Sequence, residues 1–153
     1  MNAESPWTLD ATDCWDLLRS ASVGRLAVIV DGAPEIFPVT FTVEHSALVI
    51  RTGDGTKIDA VRSHPRVAFE IDGLDGLDGQ TAFSVVVKGD AKEIKAPDEL
   101  RDTVSLDVSP LQAGTKNHFV RILAEEVTGR SFPVTDPATW KSALRDVARA
   151  PHE

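Results

Sequence analysis

The stretch 35–57, EIFPVTFTVEHSALVIRTGDGTK, sets the tightest limit on what this chain can fold into. Phe37, Val39, Phe41 and Val43 recur at every second residue, with Ile36, Pro38, Thr40 and Thr42 between them. A period of two puts the first set on one face and the second on the other, as in a half-buried strand. After a short polar turn, a second strand over 48–52 runs straight into Gly53, Asp54, Gly55, Thr56 and Lys57. Paired glycines let a backbone approach a ligand closely, and successive N–H groups in such a turn form a concavity for anions. Arg51, Thr52, Thr56 and Lys57 add two cations and two hydroxyls within seven positions, the donors a phosphate requires. On residue type alone a glycine pair is more often a plain surface turn; the cations and hydroxyls around it point to a phosphate.

The flanking segments read as support for this hairpin. Thr12 or Asp13 caps a helix to Ser20, broken at Ser22, Val23 and Gly24. A strand over 25–30 enters the hairpin through Asp31-Gly32, a two-residue turn signal, so the first three strands form an antiparallel meander. A helix over 57–63 stops before His64-Pro65, since proline keeps its predecessor out of the helical region. Lys57 then stands near a helix N-terminus, where anions are favoured. Further strands follow at 66–71, 82–94 and 118–123, the last continuing irregularly through 132. Gly89 marks a bulge or sharp bend in the longest of them. The segment 72–79, DGLDGLDG, reads as a mobile loop, 97–106 as a helix, 109–116 as a connection, and 137–149 as a last helix bearing Trp140. Six strands with a few short outer helices predict a mainly β, antiparallel barrel forming one domain over 1–153.

A formal net charge of −8 argues against a nucleic-acid surface, which needs clustered cations. The cations at Arg51 and Lys57 are therefore a local concentration in an acidic protein. A single Cys14 suits a reducing compartment, and there is neither a membrane-length apolar run nor a signal-peptide pattern at the start. A soluble, cytoplasmic protein is expected. His45, His64, His118 and His152 lack metal-ligand spacing, and no G-x-S-x-G elbow is present, so neither a bound metal nor a catalytic side chain is expected. Arg25 reads as a solvated strand-edge charge in preference to a cofactor contact, Glu125 and Glu126 as a solvated turn, and Trp7 and Trp15 as anchors for the helices or a dimer.

GRLAV, PEIFPVTF, LVIRT-GDGTK, HPRVAFEID and SVVVKGDAKEI, in this order, resemble the flavin-binding split-barrel group that includes pyridoxamine 5′-phosphate oxidase. HFVRI and EEVTGRSF resemble a small-protein branch of that group. The resemblance implies a homodimer with FMN in two clefts between the subunits. It implies that Pro38, Val39, Thr40 and Phe41 line the isoalloxazine ring, and that Arg51 and Thr52 reach the ribityl chain and phosphate. It further implies that Thr56 and Lys57 grip the phosphate, and that Phe83 and Ser84 touch the flavin of the partner subunit. The chain departs from the oxidase itself: no basic residue stands among Pro38, Val39, Thr40 and Phe41, and the tail DVARAPHE lacks the substrate-binding Arg-Leu-x-Pro segment. Pyridoxamine phosphate is thereby disfavoured as substrate. The implied activity is an FMN-dependent oxidoreduction of a small molecule, the flavin carrying the chemistry. The alternatives are a reductase using the deazaflavin F420, a non-catalytic flavin carrier, or a barrel that has lost its cofactor.

Overall fold

The computed structural model describes residues 7–75, 81–104 and 118–134. In chain order these form β1 (Thr8–Leu9), α1 (Ala11–Ser20), β2 (Val23–Val30), β3 (Ala33–Glu44), β4 (Ala47–Thr52), α2 (Thr56–Ser63), β5 (Arg66–Asp75), β6 (Thr81–Glu93), α3 (Pro97–Val104) and β7 (His118–Pro133). The sheet order is β1-β7-β4-β3-β2-β5-β6, and β6 pairs back onto β7. Six strands thus close an antiparallel barrel, as expected. The seventh, β1, is an addition: two residues pair with Gly129 and Arg130 of β7, too short to leave a periodic signal.

The hairpins follow their turn chemistry. Asp31 and Gly32 both take positive φ, 51° and 80°, and join Val30 directly to Ala33 in the two-residue turn that suits twisted strands. Four expectations are corrected. The cap of α1 is Asp10, whose carboxylate accepts the Asp13 N–H at 2.8 Å, not Thr12 or Asp13. Val23 and Gly24 do not break the chain but open β2. A Cβ at position 24 would lie 2.2 Å from the Phe69 ring, so glycine is there to admit that ring. Residues 72–75 of the expected loop belong to β5, paired with 81–84, because strand pairing overrides the glycine and aspartate composition. Finally, Glu125 and Glu126, expected as a solvated turn, lie within the 16-residue β7; its continuation past Leu123 is irregular as expected, with Glu125 the extra residue between the pairs Ala124–Gly89 and Glu126–Lys88. The register shifts between Lys88 and Gly89, the bulge expected at Gly89. The connection 109–116 and the helix 137–149 lie outside the described residues.

Val39 and Phe41 are buried, Phe37 and Val43 pack at the core margin, and Ile36 on the opposite face is 67% exposed. The barrel is filled by Phe69, Leu48, Ile50, Ile71, Val85, Val87 and Ile122, with Phe41 edge-on to Phe69 at 4.7 Å. A smaller cluster of Val49, Ile94 and Phe119 lies under Leu100 of α3. Cys14 and Leu18 of α1 are fully buried, with Trp15 beside them, and burial pushes the Cys14 thiol up, helped by Asp10 and Asp13. Among the described residues no helix is long and apolar enough to cross a membrane. Asp10→Ala is expected to lower stability by about 1 kcal/mol through loss of the cap, read as a lower urea midpoint with unchanged slope. An unchanged midpoint would remove Asp10 from that role.

Candidate functional site

The corner where β4 ends is built from three elements. β4 delivers Arg51 and Thr52, which lie opposite Phe119 and His118 of β7. The Arg51 guanidinium sits 5.3 Å over the Phe119 ring, while Thr52 is buried. The chain then turns through Gly53, Asp54 and Gly55, the last at φ 138°, a conformation that L side chains rarely adopt. α2 starts at Thr56. Its first N–H groups have no intrahelical acceptors, and no side-chain cap hydrogen bond forms at this end among the described residues. Ile58, Ala60 and Val61 bury the inner face of α2 and so fix the direction of its positive end. Lys57, in the first turn, places its ammonium 5.0 Å over the ring of Phe37 from β3.

That contact ties the loop to the strand carrying Pro38, Val39, Thr40 and Phe41. Phe41 pairs with Ile50, one residue before Arg51, so the two groups share one end of the barrel. Val39 and Phe41 point inward, at 4% and 5% exposure, leaving only their backbone on the outside. Pro38 is exposed and Thr40 half-buried on the outer face. Phe83 and Ser84 are elsewhere. They pair with Gly73 and Asp72, and with Ser131 and Arg130, near the start of β6. Glu93, which meets Asp54 of the loop through His118, ends the same strand ten positions after Phe83. Within one subunit, the Lys57–Phe37 contact and the Phe41–Ile50 pair link loop 53–57 to the strand that carries Pro38, Val39, Thr40 and Phe41, whereas no contact links Phe83 or Ser84 to the loop among the described residues.

Two groups at this corner were invisible to sequence reasoning. His118 lies between two carboxylates, with Nε2 2.5 Å from Asp54 and Nδ1 2.6 Å from Glu93. Glu93 also receives Arg62 of α2 through two hydrogen bonds of 2.9 and 3.2 Å, and Lys95 lies 3.7 Å away. Arg62 and then His118 hold the Glu93 carboxyl below the usual range, and Asp54 and then Glu93 raise His118 above the ordinary imidazole value. His118 is 64 positions from Asp54 and 25 from Glu93, so no local spacing signals the cluster.

Two clefts adjoin this region. One, of about 340 Å³, lies beside Thr56 and is lined by Val30, Asp31, Asp59 and His64 among others. The other, about 380 Å³, opens on the outer face of β2, β3 and β5 at Ala27, Ile36 and Ala68. Arg25 there pairs with Glu70 and Asp72, each at 2.6 Å, rather than standing as a lone solvated charge. Among the described residues no three His, Cys, Asp or Glu side chains gather into a metal-binding group. Backbone N–H groups at a helix start, the Thr56 hydroxyl and nearby cations fit a phosphate ester, while the buried Thr52 hydroxyl donates to the Gly53 carbonyl at 3.4 Å.

The family model described as pyridoxamine 5′-phosphate oxidase matches residues 10–131. The solved structure of the FAD binding protein from Mycobacterium smegmatis is 34% identical with a TM-score of 0.70, covering 84% of this chain and 99% of its own. A FAD-binding protein from Mesorhizobium loti is 29% identical with a TM-score of 0.66, covering 82% and 96%. An uncharacterised protein of Mycobacterium tuberculosis is 31% identical over 90 residues, 59% of this chain and 79% of its own length.

Proposed function

The chain belongs to the pyridoxamine 5′-phosphate oxidase family, and we propose that it is a flavin-dependent oxidoreductase holding the phosphate of FMN on loop 53–55 and the start of α2. The observation that supports this reading is an α2 N-terminus without a side-chain cap, preceded by Gly55, carrying Thr56 and Lys57, and following directly on the end of β4 that bears Arg51 and Thr52. Bound there, the flavin would supply the hydride or electron transfer. The protein's own groups bind and orient. Loop and helix N–H groups, the hydroxyls and Lys57 fix the phosphate, and the outward backbone of Val39 and Phe41, with Pro38 and Thr40, lines the ring. Such residues act by placement and by excluding water, so the mechanism requires no acid–base side chain.

A homodimer is part of the proposal. The family resemblance assigns Phe83 and Ser84 to the flavin of a second subunit, and they stand near the start of β6, at the far end of that strand from Glu93. Ile36, Ala27 and Ala68 lie in register across β3, β2 and β5 as a low apolar stripe, suited to packing against another sheet. FAD is the second cofactor to test, favoured by the Mycobacterium smegmatis and Mesorhizobium loti relatives and by the cleft beside Thr56, which leaves room beyond the phosphate. The deazaflavin F420 is a third.

The test is a visible spectrum of the purified protein and titrations with FMN, FAD and F420, followed by reduction with NAD(P)H and sedimentation. A yellow dimer that bleaches with NAD(P)H is expected. Failure to take up any of the three would overturn the reading, and a stable yellow protein inert to every reductant would make it a flavin carrier.

A further inference from the structure

We infer that protonated His118 is a positioning residue that clamps the phosphate loop through Asp54 and cancels that residue's charge beside the bound phosphate. The inference rests on the flavin reading above for its second half; the clamp itself does not. A neutral imidazole has one N–H and one lone pair, so it can satisfy only one of two carboxylates. Here both ring nitrogens face carboxylate oxygens, at 2.5 and 2.6 Å, which only the imidazolium can serve.

The two ends of the bridge differ. The Glu93 side chain is 9% exposed, anchored at the end of β6 by Arg62 and flanked by Lys95. The Asp54 side chain is 92% exposed, on the turn between two glycines. His118, 19% exposed and placed in β7 opposite Thr52, therefore ties the exposed turn to the buried, multiply bonded carboxylate. The charged groups around this bridge are Asp54 from the loop, Arg62 and Asp59 from α2, and Glu93 with Lys95 at the end of β6. Without the imidazolium, the Asp54 carboxylate would repel a phosphate dianion held by the same turn. Losing the proton thus acts twice: it frees the turn and exposes a like charge.

The sign follows. His118 is raised in the folded protein, so the clamp is fully present below the ordinary imidazole range and is lost as pH rises through the elevated value. Glu93 is lowered, so its share persists above the ordinary carboxylate range and disappears only on strong acidification. The window of a closed clamp spans mildly acidic to neutral pH.

The experiment has a cofactor-free arm and a cofactor arm. In the first, ¹⁵N shifts and relaxation of Gly53, Asp54 and Gly55 are followed across pH in wild type, His118→Gln and Asp54→Asn. The loop of wild type is expected to lose order as His118 deprotonates, while both variants are loose at every pH. Asp54→Asn, on an exposed turn, keeps the test valid should His118→Gln fold poorly. Loop signals that coincide in wild type and Asp54→Asn throughout would overturn the clamp, whether or not any flavin binds. In the second arm, wild-type FMN affinity is expected to fall about tenfold from neutral to alkaline pH, the size of one lost charge-assisted contact. Asp54→Asn should flatten that profile, and riboflavin, which lacks the phosphate, should show no such fall. A wild-type profile parallel to that of Asp54→Asn would overturn the electrostatic role. Absence of flavin binding in wild type at every pH would instead overturn the flavin reading and, with it, the role assigned toward the phosphate, leaving the clamp to the first arm.

Discussion

Gly89→Ala is expected to destabilise the barrel by about 3 kcal/mol, a large part of the stability of a domain this size. A Cβ at this position would lie 1.8 Å from the Leu123 carbonyl oxygen, 2.9 Å from its carbon and 3.3 Å from the Glu125 nitrogen. All three are backbone atoms of β7, so no rotamer change can make room. The clash falls where the β6–β7 register shifts, at the pairing that closes the barrel. Gly32→Ala is the control. Its φ of +80° carries strain, but nothing lies within 4 Å of the added methyl, so about 1 kcal/mol is expected. Urea denaturation of the two variants measures the difference. Equal midpoints would show that β6 and β7 can part at Gly89 without cost.

Lys57→Ala is expected to weaken FMN binding by about 1.5–3 kcal/mol, roughly tenfold to 150-fold, the worth of a hydrogen bond to a charged group. The fold should survive. Lys57 is half-buried in the first turn of α2, and its contact with the half-buried Phe37 is worth about 1 kcal/mol. Riboflavin supplies the internal control, because without a phosphate it should bind wild type and Lys57→Ala alike. Fluorescence titration of both ligands against both proteins decides the matter. An equal loss for FMN and riboflavin would move Lys57 from the phosphate to the ring, and no loss for either would remove it from the site.

What could be read before folding was whatever depends on neighbours along the chain. The alternation from Phe37 to Val43 fixes a strand and its buried face, because side chains alternate whatever the strand pairs with. Asp31-Gly32 fixes a hairpin, because both residues tolerate positive φ. The loop with Arg51, Thr52, Thr56 and Lys57 was legible for the same reason: its donors lie within seven positions. Local composition misled where pairing outweighed it. Gly24 and the Gly73 region looked like breaks, yet both are strand, one held open for the Phe69 ring and the other packed against Phe83.

The sequence by itself thus determined six of the seven strands, the barrel class and the position of the glycine loop with its flanking cations and hydroxyls. Tertiary structure alone decided which distant groups meet them. Closing β7 against β4 sets His118 opposite Thr52, and closing it against β6 brings Glu93 to the same corner. It also sends Phe83 and Ser84 to the other end of β6. Hydrogen-bond registry between strands is a long-range property: it fixes which residues become neighbours across 25 or 64 positions of chain, and no spacing within a single segment encodes it.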